Sequence, residues 1–212
     1  FRMPIELTLY VAYAGVVVLM ALTPGTDNIY VLTRTLSHGR SAGFLAASGI
    51  AIALCVHVTA ITLGLSQLFL SAPDLYAAVR WAGIAYLLWL AWKAFRASPD
   101  TELSAGRGGV LSKSRVVGQA FMLCLLNPKL AVFFIAFLPQ FTNPDNGTMS
   151  LQLFTLGVTF ALISLTVFSA AILFVAPIGD ALRHHASFWK WQARISGGVL
   201  GAMALWLALD ER

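Results

Sequence analysis

The chain has 212 residues, of which 58% are apolar and 11% charged, and a mean hydropathy of +0.79. An ordinary soluble domain carries roughly 25% charged residues, so this composition excludes a water-soluble globule. The formal charge of +5 and the pI near 9.6 do not make nucleic acid the partner, because the basic residues flank apolar runs in a membrane-topology pattern.

The length accommodates about six spans of roughly 20 residues. In chain order, charge-poor stretches run from Leu7 to Leu32, Ala42 to Leu70, Leu75 to Trp92, Val116 to Phe141, Leu151 to Ala176 and Ile195 to Leu209. The sequence therefore predicts an all-α polytopic membrane protein with six transmembrane helices. The run from Ile5 to Leu22 reads as a retained span, since Glu6 offsets Arg2 and no A-x-A-like site precedes the next motif. Phe1 and Arg2 precede Met3 and carry no weight in the topology.

Three connections hold most of the 14 Lys and Arg residues: Arg34 and Arg40; Lys93, Arg96, Arg107, Lys113 and Arg115; and Arg183, Lys190 and Arg194. The connections around Pro73 and Asp74 and from Asn143 to Ser150 contain neither. The positive-inside rule then makes the basic connections cytoplasmic and places both termini in the periplasm. Trp81 towards one face and Trp92, Trp189 and Trp191 towards the other fit interfacial belts, with core packing as the alternative for each. Gly39 and Gly43, and Gly197 and Gly201, have GxxxG spacing. Internal packing is the default reading of that spacing, and a homodimer stays open.

The hydrophilic stretch 97–114 contains Pro99, Gly106, Gly108 and Gly109 and reads as a cytoplasmic linker between a first three-helix repeat, 1–96, and a second, 115–212. An odd number of spans per half makes the second half enter the membrane in the opposite direction, as in inverted-repeat transporters.

The first span contains Thr23-Pro24-Gly25-Thr26-Asp27-Asn28, and the fourth, first in its own half, contains Asn127-Pro128-Lys129. Proline removes a backbone donor and clashes with the preceding turn, so both helices are expected to break. Thr23 and Asn127 read as N-caps, with the proline following at the first position of a restarted helix. Each restart would present free N–H groups and a positive dipole end suited to a carboxylate. Pro24 lies ten residues from Arg34 and Pro128 thirteen from Arg115, so at about 1.5 Å per residue both breaks lie roughly 15 to 20 Å deep in a core about 30 Å thick. Two independent proline kinks are the structural alternative.

Asp27 and Lys129 are the deepest charges, and intramembrane ionisable groups are costly enough to be functional candidates. Asp27 would engage an α-amino group or a coupling proton, while Lys129 and the helix N-termini receive an α-carboxylate. A permanent Asp27–Lys129 ion pair would satisfy both charges without substrate. His57, midway along the second span, is either a proton relay or a hydrogen-bonded bundle residue. Arg80 reads as a side chain snorkelling to the external face.

These motifs identify a family. The chain resembles the LysE/RhtB amino-acid exporters over nearly all of residues 5–209, through residues 23–28, Ser-His-Gly-Arg-Ser-Ala-Gly at 37–43, Arg-Trp-Ala-Gly-Ile-Ala-Tyr-Leu at 80–87, and Asn-Pro-Lys with the apolar run to Phe141. The resemblance implies a bacterial inner-membrane exporter of amino acids or derivatives, driven by proton antiport, with no cofactor. The family's Pro-Gly-Pro triplet falls on Pro24, Gly25 and Thr26, and Thr26 departs from it. Two rival readings are a metal-ion exporter, for which Asp27, His57 and Cys124 lack the spacing of a ligand cluster, and a thiol-disulfide carrier, which would need Cys55 and Cys124 in disulfide geometry. No nucleophile-base-orienter triad or phosphate-binding glycine loop marks an enzyme.

Overall fold

The computed structural model describes residues 5–23, 25–65, 73–96, 112–175 and 186–209, and helices and turns are the only regular elements among them. Arg183 and most of the 97–114 linker lie outside these residues, as does Pro24.

Helix α1, Leu7–Leu22, is apolar all round and ends where Thr23 turns extended, at φ −70° and ψ 120°. Helix α2 runs from Thr26 to Ala60, 35 residues, and a π-helical turn continues it over Ile61–Leu65. At 1.5 Å per residue an unbroken α2 would be about 50 Å long, far more than a bilayer core. Gly39 resolves the excess. Its φ of 82° and ψ of 177° lie in a region that only glycine enters readily, and they divide α2 into arms 26–38 and 40–60. The arms come so close that a Cβ on Gly43 would strike the Thr35 hydroxyl. Gly39 is therefore a turn residue and not half of a packing motif.

Helix α3, Pro73–Arg96, precedes α4, Lys113–Leu125. After a break at Leu126 and Asn127, α5 spans Pro128–Val132 and continues as a π-helical turn, Phe133–Phe137, and a 3₁₀ turn, Leu138–Phe141. Helices α6, Met149–Val175, and α7, Ala186–Leu209, complete the fold.

By length and composition, Thr26–Gly64 and Met149–Phe174 can each cross a membrane; Lys113–Leu125 and Pro128–Phe141, bent by 44°, make a third crossing if taken as one broken span. Leu7–Leu22 and Gly197–Leu209 are shorter apolar helices. The fold is thus all-helical with at least two candidate spans.

Helix α2 packs on α4 and α6, α3 packs on α7, and α1 packs on α6. The centre is aromatic: Tyr13, Phe133, Phe134 and Phe137 are fully buried, and the Phe160 ring lies 5.1 Å from Phe133 and 4.8 Å from Phe134. Gly197 and Gly201 face Ala91 of α3, with a Cβ on Gly197 reaching 3.0 Å from the Ala91 carbonyl, so this GxxxG pair works inside the bundle. Large apolar side chains cover the outside, including Leu63, Phe174 and Trp81, which suits hydrocarbon as the surrounding solvent. Trp81, Trp92 and Trp191 are exposed, which removes the core-packing reading for these three.

Two of the basic segments lie beside the ends of neighbouring helices. Arg40 Nη2 donates to the Leu173 carbonyl near the end of α6, and Tyr30 Oη lies 3.3 Å from the Val116 carbonyl in the first turns of α4, close in sequence to Lys113 and Arg115. Elsewhere, Gln152 is fully buried and closes the 143–147 turn by accepting from the Asn143 amide and donating to the Asn143 and Gly147 carbonyls.

Candidate functional site

The second break closes itself. Asn127 is the N-cap of α5, its Oδ1 accepting from the Lys129 amide at 3.1 Å, with Pro128 at the first helical position. Both roles follow locally from the sequence. Thr23 behaves differently from expectation: it is the C-cap of α1, its hydroxyl donating back to the Leu19 carbonyl at 2.7 Å. The N-cap of α2 is Gly25, extended at φ −146° and ψ 176° with no side chain to offer. The helix restarts at Thr26, because two extended residues are needed to turn the chain out of α1.

The first break is completed by Asn28 of its own motif and by one group from the second break. Asn28 Nδ2 donates to the carbonyls of Ala21 and Thr23, each at 2.8 Å. Lys129 Nζ reaches across from α5 and donates to the same Thr23 carbonyl at 3.1 Å. Lys129 is only 9% exposed, so its cation sits at the negative end of the α1 dipole. A Cβ on Gly25 would stand 3.1 Å from that ammonium nitrogen, which explains the small residue there.

Asp27, 7% exposed, lies in the first turn of α2, where the dipole favours an anion. Asn127 Nδ2 donates to both of its carboxylate oxygens at 3.1 Å, and the Thr26 hydroxyl donates to Oδ1 at 3.2 Å. Asn127 therefore caps its own helix with its oxygen and holds Asp27 with its nitrogen. No ion pair within 4.0 Å joins Asp27 to Lys129 among the described residues. The permanent salt bridge weighed from the sequence is absent; each charge is held by a neutral group of the opposite break.

A small cavity of about 20 Å³ adjoins both charges, walled by Gly25, Asp27, Asn28 and Lys129 and by Phe160 and Ser164 of α6. That is room for about one water. The α6 contribution, with Phe168 a further turn along, escaped the sequence reading, although its spacing of four residues marks one helix face. A wider groove of about 710 Å³ lies between α4 and the first arm of α2 and ends at Thr26, Asn127 and Pro128. A third cavity, about 280 Å³, is bordered by His57, Gly64 and Phe134.

His57 Nε2 lies 3.3 Å from the Cys124 carbonyl at the end of α4, and its ring stacks on Phe134 at 5.6 Å. Arg80 Nη2 donates to the Leu207 carbonyl at 2.7 Å, a contact with α7 that sequence could not supply. Cys55 is exposed and Cys124 buried, both as free thiols, so the geometry of a thiol-disulfide carrier is not formed. Among the described residues no three His, Cys, Asp or Glu side chains group to hold a metal ion.

Comparison with known proteins places this geometry in context. The family model for LysE type translocators matches residues 18–211. Over 184 residues the chain is 29% identical to a leucine efflux protein of Enterobacter sp., covering 87% of this chain and 85% of that one. Over 156 residues it is 31% identical to a homoserine/homoserine lactone efflux protein of Salmonella typhimurium, covering 74% and 75%. An uncharacterized membrane protein of Vibrio cholerae is 27% identical over 84% of this chain and 86% of its own length. No solved structure matches. With both helix breaks and their charged residues inside the matched region, the chain belongs to the LysE type translocator family, a family of transport proteins and not of enzymes.

Proposed function

We propose that this protein exports amino acids or close derivatives across the bacterial inner membrane by alternating access, in antiport with protons. The observation that carries the proposal is the crossing of the two breaks, where Asn127 holds Asp27 and Lys129 holds Thr23. Two opposite charges beside one small cavity complement the ammonium and carboxylate of a zwitterion. Each has a neutral partner that a substrate group can replace, and the replacement would be a stronger charge-assisted contact. Thr23, Gly25, Thr26, Asn28 and Asn127 frame the site, and Pro24 and Pro128 break the helices that form it.

Relatives named for leucine efflux and for homoserine and homoserine lactone efflux support an amino-acid cargo. A lactone keeps the amino group but lacks a free carboxylate, so amino-group recognition, assigned here to Asp27, is the common requirement. The cavity of about 20 Å³ cannot admit an amino acid until the helices part. The larger cavities of about 710 and 280 Å³ are the two approaches, which favours rocking of inverted halves 1–96 and 115–212 about the breaks. The placement of Arg34, Arg40, Lys113 and Arg115 in the basic connections supports a cytoplasmic assignment for those connections, with both termini periplasmic. Protons would pass between the outer cavity and Asp27 by way of His57, which borders that cavity. Lipid surrounds the apolar exterior, and no cofactor is required.

Vesicles containing purified protein and loaded with a panel of labelled amino acids test the proposal. Saturable efflux that quickens with an imposed pH gradient and disappears in Asp27→Asn is expected. No efflux of any amino acid from folded, inserted protein would reject the cargo assignment.

A further inference from the structure

The wide groove contains polar side chains that the Asp27 and Lys129 site does not use. Thr26, Tyr30 and Thr33 of α2 face Gln119 and Met122 of α4 and Leu126 just beyond it across the groove, with the α2 set at the spacing of one helix face. Tyr30 Oη donates to Gln119 Oε1 at 2.9 Å, and Arg34 Nη2 donates to the same oxygen at 3.3 Å. The Arg34 guanidinium carbon lies 5.1 Å from the Tyr30 ring centroid.

Arg34 departs from its expected role. A basic residue that only fixes topology extends its head into water, whereas Arg34 is 8% exposed and lines the groove. No carboxylate lies within 4.0 Å of it among the described residues. Its partners are a neutral amide and an aromatic face, an arrangement that holds a guanidinium in place without neutralising it. A planar fork of five donors matches a carboxylate.

We propose that Tyr30, Arg34 and Gln119 form an inner-mouth subsite that captures the α-carboxylate of a zwitterionic amino acid with an uncharged aliphatic side chain. The inference deepens the export reading and rests on it. Ile29, Met122 and Leu123 give the groove an apolar wall for the side chain. Among the described residues no acidic side chain lines the groove, so a second cationic group on the cargo would meet only Arg34 there. The volume of about 710 Å³ falls within the roughly 300 to 1,000 Å³ of small-molecule sites. Asn127 stands at the inner end of the groove and donates to Asp27 beyond it, so it is the partition a cargo ammonium would displace on moving inward.

The test compares initial efflux rates of labelled leucine and of leucinamide, which lacks the carboxylate, at increasing internal concentrations. Arg34→Gln is expected to raise the KM for leucine about tenfold, or 1.4 kcal/mol, with the maximal rate within about twofold of wild type. The KM for leucinamide should not move, and Arg34→Lys should recover part of the leucine effect. Gln119→Glu sets a competing carboxylate beside Arg34 and should reproduce the leucine-specific rise, which provides a second route if Arg34→Gln fails to fold. A KM that rises equally for both compounds, or moves for neither, overturns the subsite. Wild-type protein that exports no amino acid removes the function itself, whereas normal wild-type export with both variants unaffected removes the subsite alone.

Discussion

The two helix breaks look alike in sequence and are built on different principles. At the second, Asn127 caps its own helix through the Lys129 amide, and Pro128 occupies a position that needs no donor. At the first, the cap is Gly25, which has no side chain; Asn28 satisfies the carbonyls of Ala21 and Thr23, and Lys129 of the second break adds a bond to Thr23. The second break is capped by its own side chain; the first is closed by Asn28 of its own motif, and its Thr23 carbonyl takes a further hydrogen bond from Lys129 of the second break. Separating the two breaks would take Lys129 from Thr23 and Asn127 from Asp27, while the Asn28 contacts and the Asn127 cap, being local, would remain.

The largest expected effect comes from removing the shared charges. Asp27→Asn and Lys129→Met should each lower efflux about a hundredfold, since each removes a charge-assisted contact to the cargo, roughly 1.5 to 3 kcal/mol. The double replacement Asp27→Asn with Lys129→Ala should not restore transport, and near-normal export by it would sink the site. Asn127 separates the two functions of one side chain. Asn127→Asp retains the capping oxygen but removes both donors to Asp27, so thermal unfolding should show helix α5 intact while efflux falls at least tenfold. Asn127→Ala loses the cap as well, for about 1 kcal/mol more.

Smaller effects sharpen the contrast between the breaks. The backbone of Gly25 is open to any residue, so Gly25→Ala acts only by moving the Lys129 ammonium 3.1 Å away; efflux should fall several-fold with the melting temperature little changed. Asn28→Ala should cost about 1 to 2 kcal/mol through two lost hydrogen bonds. A loss of that size at Asn28 and none at the exposed Thr59, whose hydroxyl bonds its own helix, would confirm that Asn28 closes the first break.

The parts of the molecule legible in sequence are those decided by neighbouring residues. The proline-marked breaks and the Asn127 cap both follow from local chemistry. What stayed hidden depends on which helices meet. Thr23 reads as an N-cap but ends α1, because Gly25 supplies the second extended residue of the turn. Gly39 matches a packing motif but serves as a bend, since spacing does not report φ. Arg34 counts as a topological charge until Gln119 and Tyr30 are found beside it. The pairing of Asn127 with Asp27 spans 100 residues, and no local pattern contains it.

The central claim, that the two breaks form one amino-acid site, is tested most directly by equilibrium binding of labelled leucine to purified protein without any gradient, for wild type, Asp27→Asn and Lys129→Met. Saturable binding in wild type that weakens at least tenfold in both variants is the predicted result. Leucine binding that is unchanged in both, from folded protein, would place the cargo elsewhere and contradict the account.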